Sequence, residues 1–178
     1  MKPSGQMFSG DFLLGFVIFF AALTLILSVW STTTREILSG ENHLAMEERG
    51  SDAVEKLLRT EGIPRNWSET NVLSVGLANS SRILQETKVS SFITMMRDNV
   101  SGDCGGTYTK YECKRYLLGM GEYNFLINIS NLSGSTVYVN GMPAVSGRFP
   151  VNQSLSLKIE RTAVYMGEIV RIDLTAWK

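Results

Sequence analysis

Two cysteines and six asparagines carry most of the covalent chemistry this sequence offers. Cys104 and Cys113 close the glycine-rich stretch CGGTYTKYEC. Bonded to each other, they would remove about 2.5–3 kcal/mol of chain entropy from the unfolded state. A metal pair would need two more ligands at useful spacing, and none is visible. A redox pair would prefer C-x-x-C. The expectation is a disulfide, which belongs to an oxidising compartment. Asn66, Asn79, Asn99, Asn128, Asn131 and Asn152 each head an Asn-x-Ser sequon. Ten asparagines, with Ser and Thr at about 18% of the chain, would give about two such sequons by chance. Six are therefore an excess that favours N-glycosylation over simple enrichment of Asn and Ser in turns.

Catalytic groupings are harder to assemble. The single histidine, His43, lies in a polar segment and has no Ser or Cys partner in a triad order. There is no G-x-S-x-G, P-loop or H-E-x-x-H pattern. Glu47 and Glu48 are adjacent, so on a helix they point about 100° apart. Glu160 and Glu168 could meet only across a hairpin, where surface pairing is the plainer reading. Met95 and Met96 suit core filling better than metal ligation. These observations predict neither an enzyme nor a metal or cofactor site. Lys plus Arg is 17 and Asp plus Glu is 17, so no net basic charge points to nucleic acid.

The element that must position everything else is Phe12–Trp30, FLLGFVIFFAALTLILSVW. Thirteen of its nineteen residues are Phe, Leu, Ile or Val, and none is charged. As a helix it spans about 28 Å, close to the roughly 30 Å core of a bilayer. Those side chains contribute on the order of −4 to −8 kcal/mol to insertion. The alternative, a buried helix of a soluble core, is disfavoured because the run is apolar on every face and too long. A removed secretory signal would end in an A-x-A-like site, whereas here Val29-Trp30-Ser31-Thr32 runs on. A retained anchor is expected. Lys2 and Asp11 on one flank and Arg35 and Glu36 on the other give only a slight positive-inside bias. The sequons and the cysteine pair all follow the run, and they place the following chain outside the cytoplasm.

The leader Gly5-Gln6-Met7-Phe8-Ser9-Gly10-Asp11, followed by an apolar helix, resembles the N-terminus of archaeal type IV pilin-like proteins with a class III signal peptide. GIPRNWSETNVLSVGLANSSRILQETK (62–88) and AVYMGEIVRIDLTAW (163–177) resemble a group of archaeal pilin-like membrane proteins. The resemblance implies that a prepilin-type peptidase cuts between Gly5 and Gln6. It also implies that Asp11 pairs with a neighbour's terminal amine, and that the helix packs into a filament core with copies of itself or other pilin-like subunits. Asp11 would be the sixth mature residue rather than the fifth, and Ser4 stands where a basic residue usually precedes the glycine. An uncut signal anchor is the alternative. Read from the residues alone, Asp11 is either a solvated surface carboxylate or one favoured by the positive end of the helix dipole.

Beyond Trp30 the helix is expected to continue through about residue 61. Ile37, Leu38, Leu44, Ala45, Ala53, Val54, Leu57 and Leu58 would form its apolar face, with a bend or break near Gly40 and Gly50. Gly62 and Pro64 stop it. Trp67 is either a packing residue or an exposed contact. A strand is predicted at 71–77, a turn at 79–81 and a helix at 84–96 burying Val89, Phe92, Ile93 and Met96. Strands follow at 123–129 and 136–139, with an Asn140-Gly141 turn. A final hairpin covers 154–165 and 168–177, turning at Met166-Gly167, and Trp177 packs on the sheet. Tyr108 and Tyr111 are candidates for an exposed surface in the cysteine loop. The predicted organisation is a flank (1–11), a transmembrane helix (12–30), an amphipathic extension (31–61) and an extracellular head (62–178). The fold class is α+β: a long N-terminal transmembrane/amphipathic helix packed on an antiparallel β-sheet of about four to five strands, pilin-like by the resemblance. The expected setting is a cell membrane with the lipid bilayer as partner and the C-terminal part extracellular.

Overall fold

Straight-chain helix formers fill the stretch after the apolar run, and a single helix carries the chain through both. Helix α1 spans Gly10–Arg59, fifty residues. The computed structural model describes residues 10–104, 107–151, 153 and 155–178, with backbone only for Asp11 and residues 35–39. Gly5, Gln6, Asn152, the Asp11 carboxylate and the side chains of Ile37 and Leu38 therefore lie outside the described residues. The chain divides into two compact units, Met1–Asn42 and His43–Lys178.

In the second unit α1 buries Met46, Ala53, Val54, Leu57 and Leu58, a stripe at helical spacing. Leu44, expected on this face, is 66% exposed, and Met46 takes the buried place instead. The helix passes through Gly40 and Gly50 rather than breaking. Gly50 is where the helix meets the sheet: an added Cβ would lie 2.6 Å from Ile159 Cδ1 and 3.5 Å from Leu174 Cδ2. Close approach explains this glycine, and the neighbouring packing compensates for its weak helix propensity.

The sheet has six strands in the order β1-β2-β7-β8-β3-β6. They are β1 Ala78–Ser80, β2 Ile83–Leu84, β3 Asn124–Asn131, β6 Val145–Gly147, β7 Ser156–Tyr165 and β8 Glu168–Trp177. Every pairing is antiparallel except β2 with β7, where Ile83 faces Val164 and Leu84 faces Tyr165 in parallel register. A separate hairpin joins β4 Tyr138–Val139 to β5 Met142–Pro143 through Asn140 and Gly141, both at positive φ. The β7–β8 hairpin turns at Met166 and Gly167 as its alternation predicts. One sheet face presents Ile159, Ala163, Val170, Ile172, Leu174, Phe125, Ile127 and Ile129 to the core. Helix α2, Glu86–Met95, adds Val89, Phe92, Ile93 and Met95. Trp177 is buried, as expected.

Residues 71–77 are not a strand. Val72, Val75 and Leu77 are buried, but the backbone bonds of this stretch go elsewhere. Leu73 N and Ser74 N donate to Ile63 O, and Leu77 N donates to Leu57 O. Ala78 N donates to Thr60 O and Arg82 N to Leu58 O. Leu77, with Ala78 and Arg82 just beyond the segment, thus satisfies carbonyls at and just after the end of α1, and Leu73 and Ser74 are held against Ile63. Strand β1 starts where the turn at 79–81 was expected, and the turn shifts to Ser81-Arg82, with Arg82 at φ 61. Trp67 packs inside: its Nε1 donates to Gly76 O at 2.9 Å and Glu61 O at 3.1 Å. The strand predicted at 136–139 shortens to β4, with Thr136 held separately against Ser130.

Candidate functional site

Two places could act on something outside the chain: the apolar stretch of α1, and the surface around the cysteine loop. Phe12–Thr34 has a mean hydropathy of 2.7, and no part of its most apolar window is buried. By length and composition this is a helix able to cross a membrane. Apart from half-buried Leu23, its large apolar side chains range from 46% exposed at Phe20 to 73% at Trp30. Phe12, Phe16 and Phe20 line up at i, i+4 spacing, with ring centroids 6.4 and 4.5 Å apart. Three of the hydroxyls are satisfied within the helix. Thr24 donates to Phe20 O, Thr32 to Ser28 O and Thr34 to Trp30 O, at 2.7, 2.8 and 2.9 Å. Such back-bonding lowers the penalty of placing a hydroxyl in hydrocarbon.

In the second unit, Cys104 and Cys113 are joined, with Cα atoms 5.7 Å apart. The two sides of the loop pair through Gly102 N to Tyr108 O and Lys110 N to Val100 O, both 2.8 Å. Helix α3, Lys110–Lys114, opens with a capping box: Thr109 Oγ1 accepts from Glu112 N, and Glu112 Oε2 accepts from Thr109 N. A 3₁₀ turn, Arg115–Leu118, follows. Arg148 arrives from beyond β6 and ties the loop down. It donates to both oxygens of Asp98, at 2.8 and 2.9 Å, and to Glu112 Oε1 at 2.9 Å. Its guanidinium also sits 5.3 Å from the centre of the Tyr111 ring, a cation–π contact. The Thr109 N–H and then Arg148 hold the Glu112 carboxyl below the ordinary carboxylate range, and Asp98 and Glu112 push Arg148 up.

Tyr111 is fully buried rather than exposed. Its hydroxyl accepts from Phe125 N at 3.0 Å and donates to Asn124 Oδ1 at 3.3 Å, so the phenol has partners inside. Burial, the largest influence, raises its pKa. Tyr108 is exposed, as expected.

Beside this cluster lies an open groove of about 780 Å³, whose lining includes Arg97, Asn99, Asn124, Phe149, Val151 and Trp177. Arg148 is neutralised by its two carboxylates, whereas Arg97 forms no ion pair among the described residues; its Nη2 contacts Met142 Sδ. The groove thus combines one uncompensated cation with apolar walls.

The remaining sequence candidates scatter. Asn66, Asn79 and Asn99 are exposed, and Asn128 and Asn131 are half-buried. His43, Glu47 and Glu48 lie exposed on α1. Glu160 faces Asp173 and Glu168 faces Tyr165, so the two glutamates are not opposite one another. Met95 and Met96 are core residues. Among the described residues, no group of three or more His, Cys, Asp or Glu side chains could hold a metal ion. The Arg148–Asp98–Glu112 cluster escaped sequence reading, although Thr109-x-x-Glu112 has the spacing of a capping box. No protein-family model matches this chain, and no curated protein or solved structure matches it either.

Proposed function

We propose that this chain is a pilin-like structural subunit. The Phe12–Thr34 helix holds it in a membrane, residues 43–178 face the cell exterior, and assembly into a filament proceeds through that same helix. The observation that carries this reading is the uncovered apolar surface of Phe12–Thr34. In water, such a surface would cost roughly 25 cal/mol per Å² exposed. Lipid removes that cost, and so do copies of the same helix. Exchange between lipid and helix contacts is nearly balanced, so assembly machinery could tip it either way. The disulfide and the exposed sequons fit an exterior location.

A second reading is a fixed, non-polymerising anchor that presents a binding module, such as a minor pilin or adhesin. The groove beside the cysteine loop favours it. The two readings differ at Gly5. Under the first, mass spectrometry of the mature protein finds a chain starting at Gln6, Gly5→Val leaves the leader attached, and electron microscopy finds filaments that disappear in that variant. An intact N-terminus with no filaments contradicts the first reading and leaves the second.

A further inference from the structure

We propose that Asn99 carries an N-linked glycan whose first sugars lie in the groove walled by Phe149 and Val151. This rests on the reading above that residues 43–178 face a glycosylating compartment. Asn99 heads the sequon Asn99-Val100-Ser101, is exposed, and itself lines the groove. At about 780 Å³ the groove falls within the range of small-ligand sites, roughly 300–1,000 Å³. Phe149 is 67% exposed and Val151 is 74% exposed. They form an apolar wall suited to the C–H face of a pyranose ring.

Polar donors complete the match. The Arg97 side chain has only the Met142 sulfur as a partner among the described residues. Asn124 Oδ1 accepts from Tyr111 and Arg115, which leaves its Nδ2 as a donor for sugar hydroxyls. Asn128 and Asn131 differ. Both are half-buried, and their side-chain oxygens accept from Thr136 Oγ1 and from Ser133 Oγ and Ser135 N respectively. Asn66 and Asn79 are exposed but do not line this groove.

The donor is a polyprenyl-phosphate-linked oligosaccharide. The Asn99 Nδ2–C1 bond forms as the C1–O bond to phosphate breaks. The Nδ2 proton passes to a base of the transferase, and the lipid phosphate leaves.

The test uses full-length protein purified in detergent from its native host. Glycopeptide mass spectrometry reads occupancy at each sequon, and hydroxyl-radical footprinting reads the accessibility of the Phe149 ring. The expected result is an occupied Asn99 and several-fold slower oxidation of Phe149 in the native chain than in Asn99→Gln, with no change in Asn66→Gln. Ser101→Ala removes the same sequon without altering Asn99 and should match Asn99→Gln. Slow oxidation of buried Phe92 reports that each variant is folded. A bare Asn99 alongside an occupied Asn66 or Asn79 overturns this inference but leaves the outward orientation standing. Equal Phe149 oxidation in the native chain, Asn99→Gln and Ser101→Ala also overturns it. Bare asparagines at every sequon overturn it and remove one support of the proposed location.

Discussion

Glu112 joins two roles in one carboxylate. One oxygen accepts from Thr109 N to cap α3, and the other accepts from Arg148. Because its folded pKa is lowered from the ordinary 4.5, its stabilising effect is present above that value and is lost as pH falls through the folded pKa. The thermal midpoint of the protein should therefore drop as pH is lowered below about 4.5. In Glu112→Gln that acid dependence should be shallower, which a melting series across pH 5 to 3 will check. Gly147 is a second sensitive residue. It adopts φ +109, and an added Cβ would lie 2.3 Å from Phe125 O. Gly147→Ala should destabilise by about 2–4 kcal/mol in denaturant unfolding, from backbone strain plus overpacking. At this scale the sequence shows only local chemistry. The Thr109-x-x-Glu112 spacing is visible in it, but Arg148 lies 36 residues from Glu112 and 50 from Asp98, and only the fold brings them together. Tyr111 looks like a loop tyrosine until the fold supplies partners for its hydroxyl.

Among the elements, the second half of α1 is the clearest case of a pattern read correctly and placed slightly wrong. Its apolar spacing predicts an amphipathic helix, and Ala53, Val54, Leu57 and Leu58 are buried as that spacing requires. The end of the stripe depends on where the sheet begins, which the helix sequence does not contain, so Met46 is buried and Leu44 is not. Leu57→Ala should cost about 2–5 kcal/mol by leaving a cavity. Leu44→Ala should change stability by less than about 0.5 kcal/mol. Urea unfolding of the two variants measures both, and equal losses would contradict the assigned face. The β7–β8 hairpin was readable because its alternation and its Met166-Gly167 turn agree. Residues 71–77 alternate too, but alternation does not reveal which backbone groups are short of partners. The end of α1 needed donors: Leu77 supplies one and Ala78 and Arg82, just beyond the segment, supply others, while Leu73 and Ser74 pair with Ile63 instead of joining the sheet.

For the whole molecule, the apolar run was the most readable feature, since length and composition alone give a helix able to cross a bilayer. What that helix faces was not readable, because lipid and sister helices offer similar contacts. A chain beginning at His43 contains the buried core residues and should stay folded and dissolved without detergent. The full-length chain should need detergent, and light scattering of the two separates the outcomes.

The central claim is that Phe12–Thr34 holds the chain in a bilayer with residues 43–178 outside. Protease treatment of intact cells of the native host, followed by fractionation, tests it most directly. The account predicts that external protease cuts the 43–178 region without lysis and that the remaining N-terminal fragment stays with carbonate-washed membranes. A region cut only after lysis, or an uncut chain in the soluble fraction, would contradict it.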